Sequence, residues 1–384
     1  MLPIAAYYFA LLGALGIFWP FFSVYLASLG LTPTEVTRVL TLSPLMAMLA
    51  PPLTGLIADA RRARVWLLRA ATAATALAFT GFFVTGGARA AIVVTTGAFS
   101  LCRAPLTSLA DATALEHARR HGGSYGAIRT WGSIGFIFAV LGGGALLEAR
   151  GIGWVLPATT VALALAAACA WWMPAPPIEV RPRAWPAWLR LLRARDGWLL
   201  LGAVALQQAA GAAYDGCFSL HLGRLGQGPR FVGIAWATGV VAEAILLIFS
   251  GRILRQFAAT RVFAFSIAVA ALRWLLIARV TSPWILLALQ PLHGVTFGLF
   301  YVSAVTLMRD QAGADAPTAG QGLLAGSFGA GSVIGFAFAG RLLEAGGGRA
   351  LFHAASLVAA AGAACAFGYQ RLRGAAERSI RRAA

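Results

Sequence analysis

The chain contains no lysine: all 31 of its basic residues are arginine. Genome composition explains that bias better than function does. Charge of either sign is scarce, at 11% of residues, and only 13 residues are acidic. Soluble domains carry roughly a quarter charged residues, so water is not the main solvent of this chain. Its four cysteines, Cys102, Cys169, Cys217 and Cys365, fall within apolar stretches. They lack zinc-ligand spacing and are expected as free thiols. Paired carboxylates, a nucleophile beside a base and a clustered metal-ligand set are all missing, which argues against an enzyme. No filter-like repeat suggests a channel. The N-terminus lacks the basic leader of a cleaved signal peptide, so the first apolar segment is expected to be retained.

What the chain has in quantity is apolar length. It is 59% hydrophobic, with a mean hydropathy of +0.77. A bilayer-crossing helix takes about 20 apolar residues. In lipid only helices or closed barrels satisfy the backbone, and long continuous runs point to helices. Spans are expected near 4–28, 35–57, 65–86, 90–115, 126–148 and 153–173, then 197–222, 230–250, 261–281, 283–308, 321–344 and 349–370. The expected fold class is an all-α membrane protein, with twelve transmembrane helices in two pseudo-symmetric six-helix bundles. Residues 1–173 form the first bundle, the Pro- and Arg-rich stretch 174–196 a cytoplasmic linker, and 197–384 the second bundle with a basic tail.

A formal charge of +18 and a pI near 11.4 could signal nucleic acid. The arginines, however, concentrate in loops between spans. Nineteen fall near one set of alternate loops and six near the other. Cytoplasmic loops carry such an excess, which predicts a bacterial inner-membrane protein with both termini cytoplasmic and no nucleic-acid partner. Gly132, Gly135, Gly142 to Gly144 and the run GAGSVIG from Gly329 are expected to let helices pack closely. The loops GLIADARRAR from Gly55 and GRILRQFAATR from Gly251 fall at the same place in each half. Such internal duplication is the pattern of secondary transporters.

Three stretches interrupt the apolar pattern: VVAEAILLIF around Glu243, AALRWLLIA around Arg273 and LQPLHGVTFGLF around His293. A charge at mid-bilayer costs about 3 kcal/mol or more, so such residues pair with one another or line a watery path. At about 1.5 Å per residue all three fall near mid-depth. A static network holding the bundle is the alternative, but an apolar replacement would pack at lower desolvation cost. Asp215 is a further acid in a span, and with Glu243 is a candidate proton carrier. Arg103 and Asp111 lie eight residues apart on roughly one helix face. A structural Arg103–Asp111 pair and a substrate-binding Arg103 are equally compatible with that spacing. If Arg103 and Arg129 both face a cavity, an anionic solute fits, because guanidinium matches carboxylate geometry. Tyr7, Tyr8, Trp19, Gln207, Gln208, Tyr214 and Gln290 offer rings or hydrogen bonds, with ordinary helix packing as the alternative. His221 and Arg38 are expected at span ends.

Gly55, Asp59, Arg61, Arg62 and Arg64 resemble the loop motif of the major facilitator superfamily. YGAIRTWGSIGF from Tyr125, FWPFFSVYLASLGLTP from Phe18 and the Glu243–Arg273–His293 set resemble its phenylpropionate permease-like branch, related to lactose permease-type proton symporters. The resemblance covers essentially the whole chain and implies the major facilitator fold. It implies that Asp111 and Arg129 line a solute site, with Phe136 as an apolar platform where the relatives stack a ring on sugar. It implies that Glu243, Arg273 and His293 serve proton coupling and substrate contact. One position departs: the lactose permease type has a carboxylate three residues after the histidine, where this chain has Thr296. The proton carrier must then be another group, Glu243 first and Asp215 in reserve.

The expected function is proton-coupled uptake of a small organic solute by a monomeric secondary transporter, with the proton gradient as energy source and no cofactor. The branch suggests aromatic acids, while wider relatives suggest sugars or nucleosides. An exporter or uniporter of the same architecture is the competing reading.

Overall fold

The structure is a computed structural model that describes residues 1–60, 63–121, 124–174, 195–312 and 317–383. Every regular element among them is helical. In the first half these are α1 (Leu2–Ser28), α2 (Pro33–Leu40), α3 (Leu42–Ala60), α4 (Arg64–Thr80), α5 (Arg89–Arg103), α6 (Leu106–His121), α7 (Tyr125–Arg150) and α8 (Val155–Trp171). The second half has α9 (Arg195–Arg224), α10 (Pro229–Gln256), α11 (Ala259–Arg279), α12 (Pro283–Ala288), α13 (Phe300–Ala312) and α14 (Pro317–Ala383). The expected linker lies outside the described residues from 175 to 194.

Among the described residues, nine helical segments are long and apolar enough to cross a bilayer. The last, Gly320–Ala375, has length for two spans. Its backbone leaves the helical region at Gly346 and Gly347, where Gly347 has φ +65°, a left-handed conformation that glycine adopts without strain. That break matches the expected gap between the last two spans. Helix α9 is not among the nine, because Gln207 and Gln208 dilute its apolar run.

Among the described residues, two expected spans break in mid-course at a proline. Span 90–115 breaks between α5 and α6 at Ala104 and Pro105, and span 283–308 breaks after α12 at Leu289, Gln290 and Pro291. The cause is the same in both places: proline has no N–H to give and clashes with the preceding turn. After Pro291 the chain widens into a π-helical stretch, Gly294–Leu299, before α13. The span at 35–57 also starts as two pieces, α2 and α3, with α2 opened by a capping box between Thr32 and Glu35.

By packing density the chain forms two units, Met1–Arg181 with Asp215–Ala237, and Pro182–Tyr214 with Thr238–Ala384. The first unit includes the start of α10 because that start seats on α7: a Cβ on Gly144 would lie 2.8 Å from the Pro229 carbonyl oxygen. The Glu148 carboxylate accepts the Arg230 backbone N–H at 3.0 Å. The core of the first unit collects Tyr7, Leu11, Leu68, Leu109 and Ala166, and that of the second Val204, Ile267, Phe300, Leu307 and Tyr369. The glycines set the helix spacing in both. A Cβ on Gly135 would overlap the carbonyl of Phe9, and one on Gly331 that of Ala205. So α7 seats on α1 in the first unit as α14 seats on α9 in the second, backbone against backbone.

Candidate functional site

In the second unit one guanidinium organises the polar interior. Arg273, on α11, is 0% exposed. Its Nη1 donates to Thr296 Oγ1 at 3.0 Å, and its Nη2 donates to Gln290 Oε1 at 3.0 Å. Nη1 also lies 3.4 Å from His293 Nδ1. The Tyr214 and Trp274 rings stand 4.7 and 4.8 Å from its central carbon, close enough for cation–π attraction on both. A fully buried charge costs several kcal/mol unless hydrogen bonds replace its water, and these partners do so at Nη1 and Nη2, while Nε is buried without an acceptor.

The proline break supplies most of them. Without an N–H at residue 291, the backbone tightens into i→i+3 bonds: Gln290 to Leu287 at 3.0 Å and His293 to Gln290 at 2.8 Å. The Leu286 carbonyl instead takes the Gln290 side-chain amide, at 2.6 Å. The Gln290 oxygen is then left to accept from both Arg273 and the Tyr214 hydroxyl, the latter at 3.0 Å. The π-helical stretch offers the Thr296 carbonyl to Gln207 Nε2 at 3.0 Å. π-Bulges occur mostly where function tolerates an irregular helix.

His293 links this network to Glu243. Its Nε2 lies 3.5 Å from Glu243 Oε2, and the two side chains remain 15% and 20% exposed. Nδ1 faces the Arg273 donor, so Nε2 is the ring nitrogen that points at the carboxylate. The His293 ring also stacks against Tyr214 at 5.6 Å and Phe297 at 5.4 Å. Glycines bring the two helices together: a Cβ on Gly298 would meet Glu243 Cγ at 3.3 Å, and one on Gly239 would meet His293 Cβ at 3.3 Å. The three ionisable residues singled out from the sequence therefore sit in one cluster. Thr296, at the departing position, bonds Arg273 directly.

In the first unit the predicted residues separate into two groups. Asp111 accepts a hydrogen bond from the Tyr8 hydroxyl, and the Arg129 guanidinium lies 5.5 Å over the Tyr8 ring. Tyr8 thus joins the carboxylate and the arginine. Arg103 does not pair with Asp111; the helix break at Pro105 ends the shared face that the spacing suggested. Arg103 instead faces two rings, Trp19 at 5.8 Å and Phe99 at 5.9 Å. Phe136 is buried and lies 6.5 Å from Trp19.

The remaining candidates are scattered. Asp215 is exposed, one residue beyond buried Tyr214 on α9. His221, expected at a span end, is buried, and Arg38 is exposed. Gly55 lies within α3, where a Cβ would meet nothing within 4 Å. Asp59 is placed by its backbone alone, near the end of α3, and Arg61 and Arg62 lie outside the described residues. Two features were missed in the sequence. Trp274 follows Arg273 directly, and Pro105 and Pro291 stand inside apolar runs, a signal for a broken helix.

The helical fold has counterparts among known proteins. The model of the MFS_1 like family matches residues 1–354. The chain belongs to that family. Among relatives, the maltose permease of Geobacillus stearothermophilus is 32% identical over 305 residues, covering 79% of this chain and 77% of the permease. A probable 3-phenylpropionic acid transporter of Escherichia coli (strain K12) is 29% identical over 317 residues, covering 80% and 82%. The crystal structure of the nucleoside transporter NupG superposes with a TM-score of 0.79 at 17% identity, covering 96% of this chain and 98% of NupG. An auto-inhibited POT family peptide transporter gives a TM-score of 0.72 at 13% identity. At these identities the two structures speak for the fold alone. This MFS_1-like protein is a multi-pass membrane transporter for a small molecule, not an enzyme.

Proposed function

We propose that the protein is a proton-coupled symporter that takes up a small organic solute by alternating access, in a bacterial inner membrane with both termini cytoplasmic. The observation that carries this reading is the contact chain Glu243–His293–Arg273. The Glu243 carboxylate lies 3.5 Å from the His293 imidazole, and that imidazole lies 3.4 Å from a guanidinium with no water-exposed surface. With Glu243 ionised, charge attraction holds the chain together. A proton on Glu243 removes that attraction and frees the Arg273 side of the network to rearrange. A group whose protonation state changes its neighbours' bonding is what coupling a proton to a conformation requires. Glu243 is the carrier, and Asp215 is the reserve acid.

An acid bearing an aromatic ring is the favoured solute. The 29% identical relative named for 3-phenylpropionic acid supports it, as do two arginines among aromatic rings in the first unit. A neutral sugar is the second reading, supported by the 32% identical maltose permease. On either reading Asp111, Arg129 and Phe136 contribute to solute binding in the first unit, and Tyr214 in the second.

The test is uptake into proteoliposomes under an imposed inward proton gradient. Glu243→Gln is expected to reduce gradient-driven accumulation about tenfold or more while leaving solute exchange at zero gradient intact. Full accumulation by the variant would refute Glu243 as carrier.

A further inference from the structure

Among the described residues two spans are broken at proline, and they are the fourth of the first half and the fourth of the second. In each, a nitrogen-bearing side chain stands within two residues of the proline: Arg103 before Pro105, and Gln290 and His293 around Pro291. Proline-interrupted segments at matching places in the two halves of a transporter point to its solute site. The second break is filled by its own polar network. The first is not. Nε is buried without a hydrogen bond in both Arg103 and Arg273. Arg273, however, has acceptors on Nη1 and Nη2, whereas among the described residues no acceptor and no acidic side chain pairs with Arg103. A buried donor left unmade costs about 1–3 kcal/mol, so nearly all such groups in folded proteins find an acceptor.

What surrounds Arg103 is aromatic. Phe99 lies four residues earlier on α5, one helical turn away, and is fixed in a ring cluster with Phe18 at 5.0 Å and Phe79 at 5.2 Å. Trp19 follows Phe18 on α1. Although α1 is covered along most of its length, Trp19 is 42% exposed. Its ring therefore offers Arg103 one contact and keeps area for another. Phe136, at 6.5 Å, extends the apolar wall.

From this geometry we infer that Arg103 and Trp19 form the subsite that selects the solute, binding the carboxylate and the ring of an aryl carboxylate. The guanidinium supplies a planar pair of donors, one of them the unmade Nε–H, which matches the two oxygens of a carboxylate. Trp19 stacks on the arene, and Phe99 holds the guanidinium plane in place. Asp111 does not compete, because it is engaged by Tyr8. The inference rests on the transporter reading but not on proton coupling, since it concerns binding alone.

Equilibrium binding to the purified full-length protein in nanodiscs tests it without any gradient. The probes are 3-phenylpropionate, its neutral analogue 3-phenylpropanamide, and maltose, read by calorimetry. The wild type is expected to bind the acid at least tenfold more tightly than the amide. Arg103→Gln should weaken the acid tenfold or more and change the amide by less than twofold, with Arg103→Lys between. Trp19→Leu should weaken acid and amide alike by about fivefold, and Trp19→Phe should restore most of that loss. Equal losses for acid and amide in Arg103→Gln would overturn the carboxylate role. So would a wild type that prefers the amide or maltose, even if Glu243→Gln had abolished gradient-driven accumulation. Conversely, an intact acid preference in a protein that accumulates nothing under a gradient would leave this subsite standing and defeat the coupling proposal. Thermal unfolding of each variant separates lost binding from lost fold.

Discussion

Arg273 and Arg103 are both arginines beside a proline-broken span, and they solve the same problem in opposite ways. Arg273 is enclosed: a hydroxyl, an amide oxygen, an imidazole and two aromatic faces replace its hydration. Both leave Nε buried without an acceptor, but among the described residues Arg103 has two aromatic faces and no side-chain hydrogen bond at all. A charge whose terminal nitrogens are both bonded is a fixed part of the architecture, which changes only when a neighbour changes its proton. One with no such bond is poised for something that comes and goes. The pair shows why burial alone does not separate a structural charge from a binding one. The census of partners does.

If that contrast is right, the two arginines must differ most in what their loss does to the fold. Arg273→Leu strands Gln290, Thr296 and His293 in an apolar interior, and should cost about 2–4 kcal/mol, seen as a clear drop in thermal unfolding temperature. Arg103→Leu removes an unmet donor and should be close to neutral, within about 1 kcal/mol. A large loss for Arg103→Leu, or none for Arg273→Leu, would erase the distinction. Next in size are the glycine seams, one inside each unit. Gly135→Ala and Gly331→Ala each push a methyl into a facing carbonyl, and each should cost about 1–3 kcal/mol. Similar losses at the two sites would show that the halves are built alike beneath their unlike arginines. Smallest is Arg69→Ala in the first unit. Arg69 donates to the carbonyls of Ala170 and Met173 at the end of α8, at 3.1 and 3.0 Å. Losing these charge-assisted bonds near the surface should cost about 1 kcal/mol, measured in the same melts.

Much of this was legible in the sequence. Apolar run length gave helices, because lipid permits little else. Glu243, Arg273 and His293 stood out because each is costly where it lies, and the structure brings them into one cluster. The glycines at 135 and 331 were readable as contact faces for the same reason of solvent: in lipid, close backbone approach substitutes for the hydrophobic drive. What failed was pairing by helical spacing. Arg103 and Asp111 share a face only on an unbroken helix, and Pro105 ends that helix between them. The π-helical turn after Pro291 was equally hidden, since spacing arguments assume 3.6 residues per turn. Gln290 looked like an ordinary polar residue. Its role as the double acceptor between Arg273 and Tyr214 follows from carbonyls rearranged by a proline, which a sequence pattern does not show.

The central claim is that a proton crosses with the solute through Glu243, and medium pH reports it most directly. Purified wild-type and Glu243→Gln proteins would be placed in proteoliposomes with weak external buffer, and solute added outside with no imposed gradient. The account predicts external alkalinisation with the wild type, and none beyond that of protein-free liposomes with Glu243→Gln. Solute entry without alkalinisation by the wild type, or equal alkalinisation by both proteins, would contradict it.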